Sequence, residues 1–134
     1  MSQENVEVVR GIIDAINRGD IDAVVESATE DFVTDWSNSR GLLSGIHRGR
    51  DQVREAFESF LEPWDSLRWE PEELIELDED RVLTVSRLQM RGRGSGVEVN
   101  ASGASIWTIR DRRAAAITLY QSKAEALEAA AVRE

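Results

Sequence analysis

Asp35, His47 and Arg87 are the side chains of this 134-residue chain whose type and setting suit proton or charge chemistry. Asp35 precedes Trp36 on a short strand-like stretch, and a carboxylate is a side chain that can act as a general base. His47 is the one histidine and is a candidate general base at the pocket mouth. Arg87 can grip a carboxylate or polarise an oxygen. Each has a plainer account. Alternation along a strand sends Asp35 and Trp36 to opposite faces. His47 reads as a loop residue before a helix. Arg87 reads as half of a salt bridge with an acid on an adjacent element, because an unpaired buried cation is costly.

Trp36, Trp64, Trp69 and Trp107 are the other group with chemical meaning. Four tryptophans in so short a chain need burial, a pocket or an interface. Trp64 and Trp69 are assigned to core and dimer packing. Trp36 and Trp107 are divided between core and ligand cage. Arg91, Arg93, Arg110, Arg112 and Arg113 read as edge and turn residues that keep a sheet from aggregating. Gly92-x-Gly94-x-Gly96 lacks the strand-to-helix setting of a phosphate loop and reads as a hairpin. Asp78-Glu79-Asp80 lacks chelating spacing and reads as a solvated turn. With no cysteine and one histidine, neither disulfide, thiolate nucleophile nor zinc site is expected, and no cofactor.

The elements that must position these residues follow from periodicity. Val6, Val9, Ile13 and Ile16 fall on one helix face, widened by Ile12, with Ser2 as cap and Gly19 as terminator. Asp20 caps a second helix with Ile21, Val24, Val25 and Ala28 on its apolar side. Phe32 to Trp36 is a short strand, and Ser37 to Arg48 a loop punctuated by Gly41, Gly45 and Gly49. A third helix from about Arg50 to Leu61 buries Val53, Ala56, Phe57 and Phe60, and Pro63 stops it. Strands follow over Trp69–Leu77, Arg81–Arg93, Val97–Arg110 and on to Gln121, with Gly94-Ser95-Gly96 as a hairpin turn. Ser122-Lys123-Ala124-Glu125 is a capping box opening a terminal helix with Ala124, Leu127 and Ala131 apolar.

Helices segregated from a long antiparallel sheet mean an α+β fold, read as one domain over 1–134. A strongly curved antiparallel or mixed sheet wrapped around the N-terminal helices leaves one internal pocket. A net charge of −10 disfavours nucleic acid and anionic membrane surfaces as partners. No apolar run approaches a membrane span or a signal peptide, so a cytoplasmic protein is expected.

Asn17-Arg18-Gly19-Asp20-Ile21-Asp22-Ala23, Asp35-Trp36, Arg48-Gly49-Arg50, Gly92 to Val99, Ile106 to Asp111 and Leu119-Tyr120 carry a resemblance in order and spacing. From about Glu4 to Leu127 the chain resembles the SnoaL-like group of the nuclear-transport-factor-2-like superfamily. The resemblance implies a cystatin-like cone and a homodimer through the outer sheet face. The superfamily includes isomerases, hydratases, cyclases, epoxide hydrolases and non-catalytic binders, so function has to be argued from the site.

Three of these chemistries can be tested on the residues present. In ketosteroid isomerases the enolate needs a carboxylate base and two neutral donors. The matching positions here are Ile12 for the tyrosine donor, Trp36 for the base and Ser105 for the acid donor. In limonene epoxide hydrolases the matching positions are Arg87 and Gln89, with Leu119 for the second acid. In polyketide cyclases of the SnoaL type they are Leu119 and Ser105. The acid/base pairs are missing in all three. The inward set expected from this placement is Ile12, Trp36, Arg87, Gln89, Ser105, Trp107, Leu119 and Gln121. It can hold a small hydrophobic molecule but has no evident proton-transfer machinery. The expected function is therefore small-molecule binding in a homodimer. Its alternatives are an isomerase-, hydratase- or cyclase-type enzyme using Asp35, His47 or Arg87, and a structural dimerisation module.

Overall fold

The computed structural model describes residues 2–38 and 45–131, the side chains of Ser2 and Gln3 excepted. The cap assigned to Ser2 and the loop glycine Gly41 lie outside that description. Helix α1 (Ser2–Arg18) forms where the apolar stripe predicts it. Val9, Ile12, Ile13 and Ile16 are each no more than 3% exposed. Burying a side chain of this size contributes roughly 1.5–3 kcal/mol. Gly19, at φ +72°, turns the chain out of the helix, and Asp20 caps α2 (Ile21–Glu26) by accepting from Ala23 N at 3.1 Å.

The second helix is shorter than its apolar pattern suggests. Ala28 belongs to β1 (Ala28–Asp35), because the Ser27 carbonyl accepts from Ala114 N at 2.9 Å and draws the chain into the sheet. The segment read as one loop contains a short strand, β2 (Ile46–Arg48), paired antiparallel with β1. Helix α3 (Gly49–Leu61) and the strands β3 (Trp64–Glu76), β4 (Arg81–Gly92), β5 (Glu98–Arg110) and β6 (Arg113–Tyr120) follow, and α4 (Lys123–Ala131) ends the described chain.

The six strands make one mixed sheet in the order β2-β1-β6-β5-β4-β3, antiparallel except for the parallel β1·β6 pair. Helices α1, α2 and α3 lie against its inner face and form the main core with Phe32, Trp36, Val82, Trp107 and Ile117. Helix α4 covers part of the outer face, where Ala126 packs with Leu83, Ala104 and Ile106. Its buried residue is Ala126; Leu127, expected on the apolar side, is 42% exposed. One arm of the capping box forms, with Glu125 N donating to Ser122 Oγ at 3.1 Å, while Glu125 Oε1 accepts from Gln121 N, one residue before the cap, at 3.1 Å.

Two register shifts in β3 decide which side chains face in. Trp64 stands opposite Gly92 and Ser66 opposite Arg91, so Asp65 is an extra residue. That bulge returns Trp64 to the face shared by Leu67 and Trp69. The strand therefore begins five residues earlier than its pattern suggests and brings a second tryptophan inward. Among the described residues, no helix is long and apolar enough to cross a membrane.

Candidate functional site

A cavity of about 360 Å³ opens between α3 and the inner face of the sheet. Its roof is aromatic: Trp36 from the end of β1 and Phe57 and Phe60 from α3. Trp36 meets Phe57 edge to face at 5.6 Å and 85°, and Phe60 at 6.3 Å. Pairs of this geometry contribute about 0.5–1.5 kcal/mol beyond the area they bury. Trp64 and Trp69 form the β3 wall, Leu88 and Met90 the β4 wall.

The room comes from small side chains. Inward positions on β4 and β5 are Ser86, Ala101, Gly103 and Ser105, and the register sets Ser86 opposite Gly103 and Leu88 opposite Ala101. A Cβ at Gly103 would lie 3.2 Å from the Tyr120 carbonyl oxygen. Deeper along the same strands the side chains grow, and the hollow ends where Trp107 packs on Trp69 at 6.0 Å. Trp107 Nε1 donates to Thr84 Oγ1 at 3.1 Å, so the deep indole is satisfied within the protein. Exposed Ser102 and Gln121 stand at the rim. Gln121 Nε2 donates to the Asn38 carbonyl at 2.7 Å and ties the end of β6 to the segment after β1.

Of the inward set expected from sequence, Trp36, Ser105, Leu119 and Gln121 lie on the cavity. Ile12 and Trp107 are buried in the core beside it and do not line it. Arg87 and Gln89 are corrected outright: both are exposed on the outer face. Alternation along β4 turns Ser86, Leu88 and Met90 inward, so the residues between them point out. Arg87 Nη2 pairs with Glu72 Oε2 at 2.9 Å across to β3. Trp64 and Trp69, assigned to core and dimer packing, also line the cavity, and Trp69 keeps its place in the main core.

Asp35 turns away from Trp36. Its Oδ1 accepts from Ser37 N at 2.9 Å and Ser37 Oγ at 2.6 Å, a local turn that occupies the carboxylate. His47 lies opposite Thr34 on β1, and its ring meets Trp36 edge to face at 5.2 Å. It supports the back of the aromatic roof and is not part of the lining. Among the described lining residues there is no Asp, Glu, His, Lys or Arg, and Tyr120 is the one titratable group. Burial and then the nearby Asp35 carboxylate push the Tyr120 phenol above its ordinary value, so near neutral pH it is protonated and a donor. Among the described residues, no group of three His, Cys, Asp or Glu side chains is placed to hold a metal ion.

Sequence reasoning missed Ser86, Leu88 and Met90, although a signal was present. Arg87, Gln89 and Arg91 alternate with them, and a charged residue belongs on the wet face unless a buried partner is available.

The SnoaL-like domain family matches residues 9–117, and the chain belongs to it. No curated protein matches. Solved structures share the fold at low identity. TerC, crystallised with polyporic acid, is 19% identical over 96% of this chain and 98% of its own, with a TM-score of 0.74. A nuclear-transport-factor-2-like protein of unknown function from Burkholderia pseudomallei is 20% identical over 93% of this chain and 95% of its own, TM-score 0.74. SalBIII, an epoxide hydrolase/cyclase-like enzyme of pyran ring formation in the polyether salinomycin, is 21% identical over 91% and 93%, TM-score 0.75.

Proposed function

We propose that this protein binds a small, mostly apolar molecule in the cavity and holds no catalytic acid/base pair there. The observation that carries this reading is a hollow of about 360 Å³ whose described lining is aromatic, aliphatic and hydroxylic, without a carboxylate, imidazole or cation. Concave apolar sites with a few polar groups are where small ligands bind. General acid/base catalysis needs a group whose proton affinity suits transfer near the working pH, and a phenol pushed upward stays protonated there and does not serve as a base. That TerC was crystallised with polyporic acid agrees with a ligand-holding role.

Thermal-shift screening with small hydrophobic molecules tests it, followed by quenching of tryptophan fluorescence, since Trp36, Trp64 and Trp69 all line the cavity. Ligands that raise the melting temperature and quench the indoles are the expected result. Ligands that stabilise without touching the indole signal would place binding elsewhere and end the proposal.

A second reading, a cyclase-type enzyme, would use Tyr120, which borders the cavity while packing with the outer-face cluster of Leu83, Ala104 and Ile106, and which feels the Asp35 charge. The description of SalBIII as epoxide hydrolase/cyclase-like supports it. Turnover of a cyclisable substrate that survives in both Tyr120→Phe and Asp35→Asn would leave that reading without a proton donor. Both readings carry the homodimer with them as a proposal, through the outer face of β3–β5 where Arg68, Gln89 and Asn100 are exposed. Light scattering that gives a monomer mass at tens of micromolar would end it.

A further inference from the structure

Three polar atoms of the cavity-lining residues have no hydrogen-bond partner: Ser86 Oγ, Trp69 Nε1 and Trp64 Nε1. Ser86 is 6% and Trp69 8% exposed. A buried donor left unpaired costs about 1–3 kcal/mol, and folded proteins pair the large majority of such groups. Among the described residues only Thr34 Oγ1 and Arg50 Nε share this condition, and neither residue lines the cavity. Trp107 is the contrast, since its indole N–H, also inward but deeper, is given an acceptor by Thr84.

The geometry gathers two of the three. Trp69 faces Leu88 and Pro71 faces Ser86, so Trp69 and Ser86 are diagonal neighbours on one face, about 7–8 Å apart at Cα. The positions directly beside Ser86 are Pro71 and Gly103, which bring no side-chain donor or acceptor. Gly103 brings no side chain at all. Buried Ser105 lies diagonally across on β5 and continues the row of hydroxyls.

An indole donates and never accepts, and a serine hydroxyl does both. What this wall lacks is therefore an acceptor oxygen. The described lining has no cation to neutralise an anion, and the chain carries a net charge of −10. A charged acceptor would enter without compensation. We propose that the cavity selects an uncharged ligand with an apolar body and a carbonyl-type oxygen, which accepts from the Ser86 hydroxyl and the Trp69 indole. This rests on the proposed binding function. The two atoms are covered by their neighbours, so the ligand engages them through a χ1 turn of Ser86 and a tilt of the indole.

Fluorene and fluorenone test it, being one ring skeleton without and with a carbonyl oxygen, together with a fluorenone carboxylate as the charged probe. Affinities are read by tryptophan quenching and calorimetry on the full chain. Wild type should bind fluorenone about five- to a hundredfold more tightly than fluorene, the range of two neutral hydrogen bonds. The carboxylate should bind more weakly than fluorenone. In Ser86→Ala the preference, measured against fluorene in the same variant, should shrink to about three- to tenfold, the range of the one bond left to Trp69. The variant's own melting temperature should hold or rise, because the hydroxyl removed had no partner to lose. Trp69→Phe should narrow the preference again. Equal binding of fluorene and fluorenone by wild type overturns the inference while leaving the binding function standing. So does tighter binding of the carboxylate, or a preference that persists when Ser86→Ala and Trp69→Phe are combined. Binding of neither hydrocarbon nor ketone removes both.

Discussion

Asn17 and Trp69 hold each other by two hydrogen bonds. Asn17 Oδ1 accepts from Trp69 N at 2.7 Å, and Asn17 Nδ2 donates to the Trp69 carbonyl at 3.0 Å. Strand β3 is an edge of the sheet, and at this point the side-chain amide at the end of α1 does what a seventh strand would do. The clamp fixes the backbone of a residue whose ring lines the cavity, so it couples stability to the site. Asn17→Ala should lose about 2 kcal/mol, near 1 for each bond, by urea unfolding. Asn17→Asp keeps the acceptor for Trp69 N but turns a carboxylate oxygen on the Trp69 carbonyl, and should lose at least as much. An Asn17→Ala variant within about 0.5 kcal/mol of wild type would show that β3 holds its place without this contact.

The cavity exists because Ala101 and Gly103 occupy inward positions that could carry large side chains. Ala101→Leu should fill space next to Leu88 and abolish ligand-induced stabilisation while leaving the melting temperature unchanged or higher, since it occupies a void instead of displacing neighbours. Gly103→Ala behaves differently. Its new methyl meets the Tyr120 carbonyl oxygen at 3.2 Å, and backbone cannot give way as a flexible side chain can. A loss of about 1 kcal/mol or more is expected, measured by the same unfolding curve. If Ala101→Leu still binds every ligand of the wild type, the hollow is not the binding site.

Much of the frame was legible because its signals are local. The α1 stripe, the Asp20 cap and the Gly94 and Gly96 turn, both at positive φ, each follow from a few neighbouring residues. The cavity was half legible, because its walls depend on parity. Val82 and Leu83 are both fully buried, since α4 covers the outer face there, and two buried faces erase the alternation that would have set the register of β4. Placing Arg87 by resemblance then put the wrong face inward. The bulge at Asp65 is likewise a property of strand pairing and has no mark within Trp64-Asp65-Ser66 itself, so Trp64 could not be placed. Strand β2 is three residues long and depends on its pairing with β1, which no periodicity reports.

Arg87→Ala separates the two parities directly. The Arg87–Glu72 pair is about half exposed on both sides, and exposed pairs contribute little. The variant should unfold within about 0.5–1 kcal/mol of wild type and bind cavity ligands with unchanged affinity. A tenfold loss of affinity would mean that the guanidinium reaches the ligand and that β4 faces the other way.

Acid should loosen the turn that anchors α4. Arg81 Nε and Nη2 donate to Asp78 Oδ2 at 2.9 and 2.7 Å, and Arg81 Nη2 also approaches the Ala130 carbonyl at 3.4 Å. The Arg81 hydrogen bonds hold the Asp78 carboxyl far below the usual carboxylate range, outweighing the opposing effect of burial. A carboxyl depressed in the folded state stays ionised there while the unfolded chain takes up its proton near the ordinary value of 3.8. Its contribution is therefore complete above about pH 4 and drains away as the pH falls below that, never as it rises. Asp78→Asn lacks the titrating group. Melting temperatures measured from pH 7 down to about pH 2 should show the variant less stable at neutrality, with the gap to wild type narrowing in acid as the wild type loses the same interaction. A gap that stays constant over that range would mean that packing of α4 on Leu83, Ala104 and Ile106, and not the Asp78 charge, holds the helix in place.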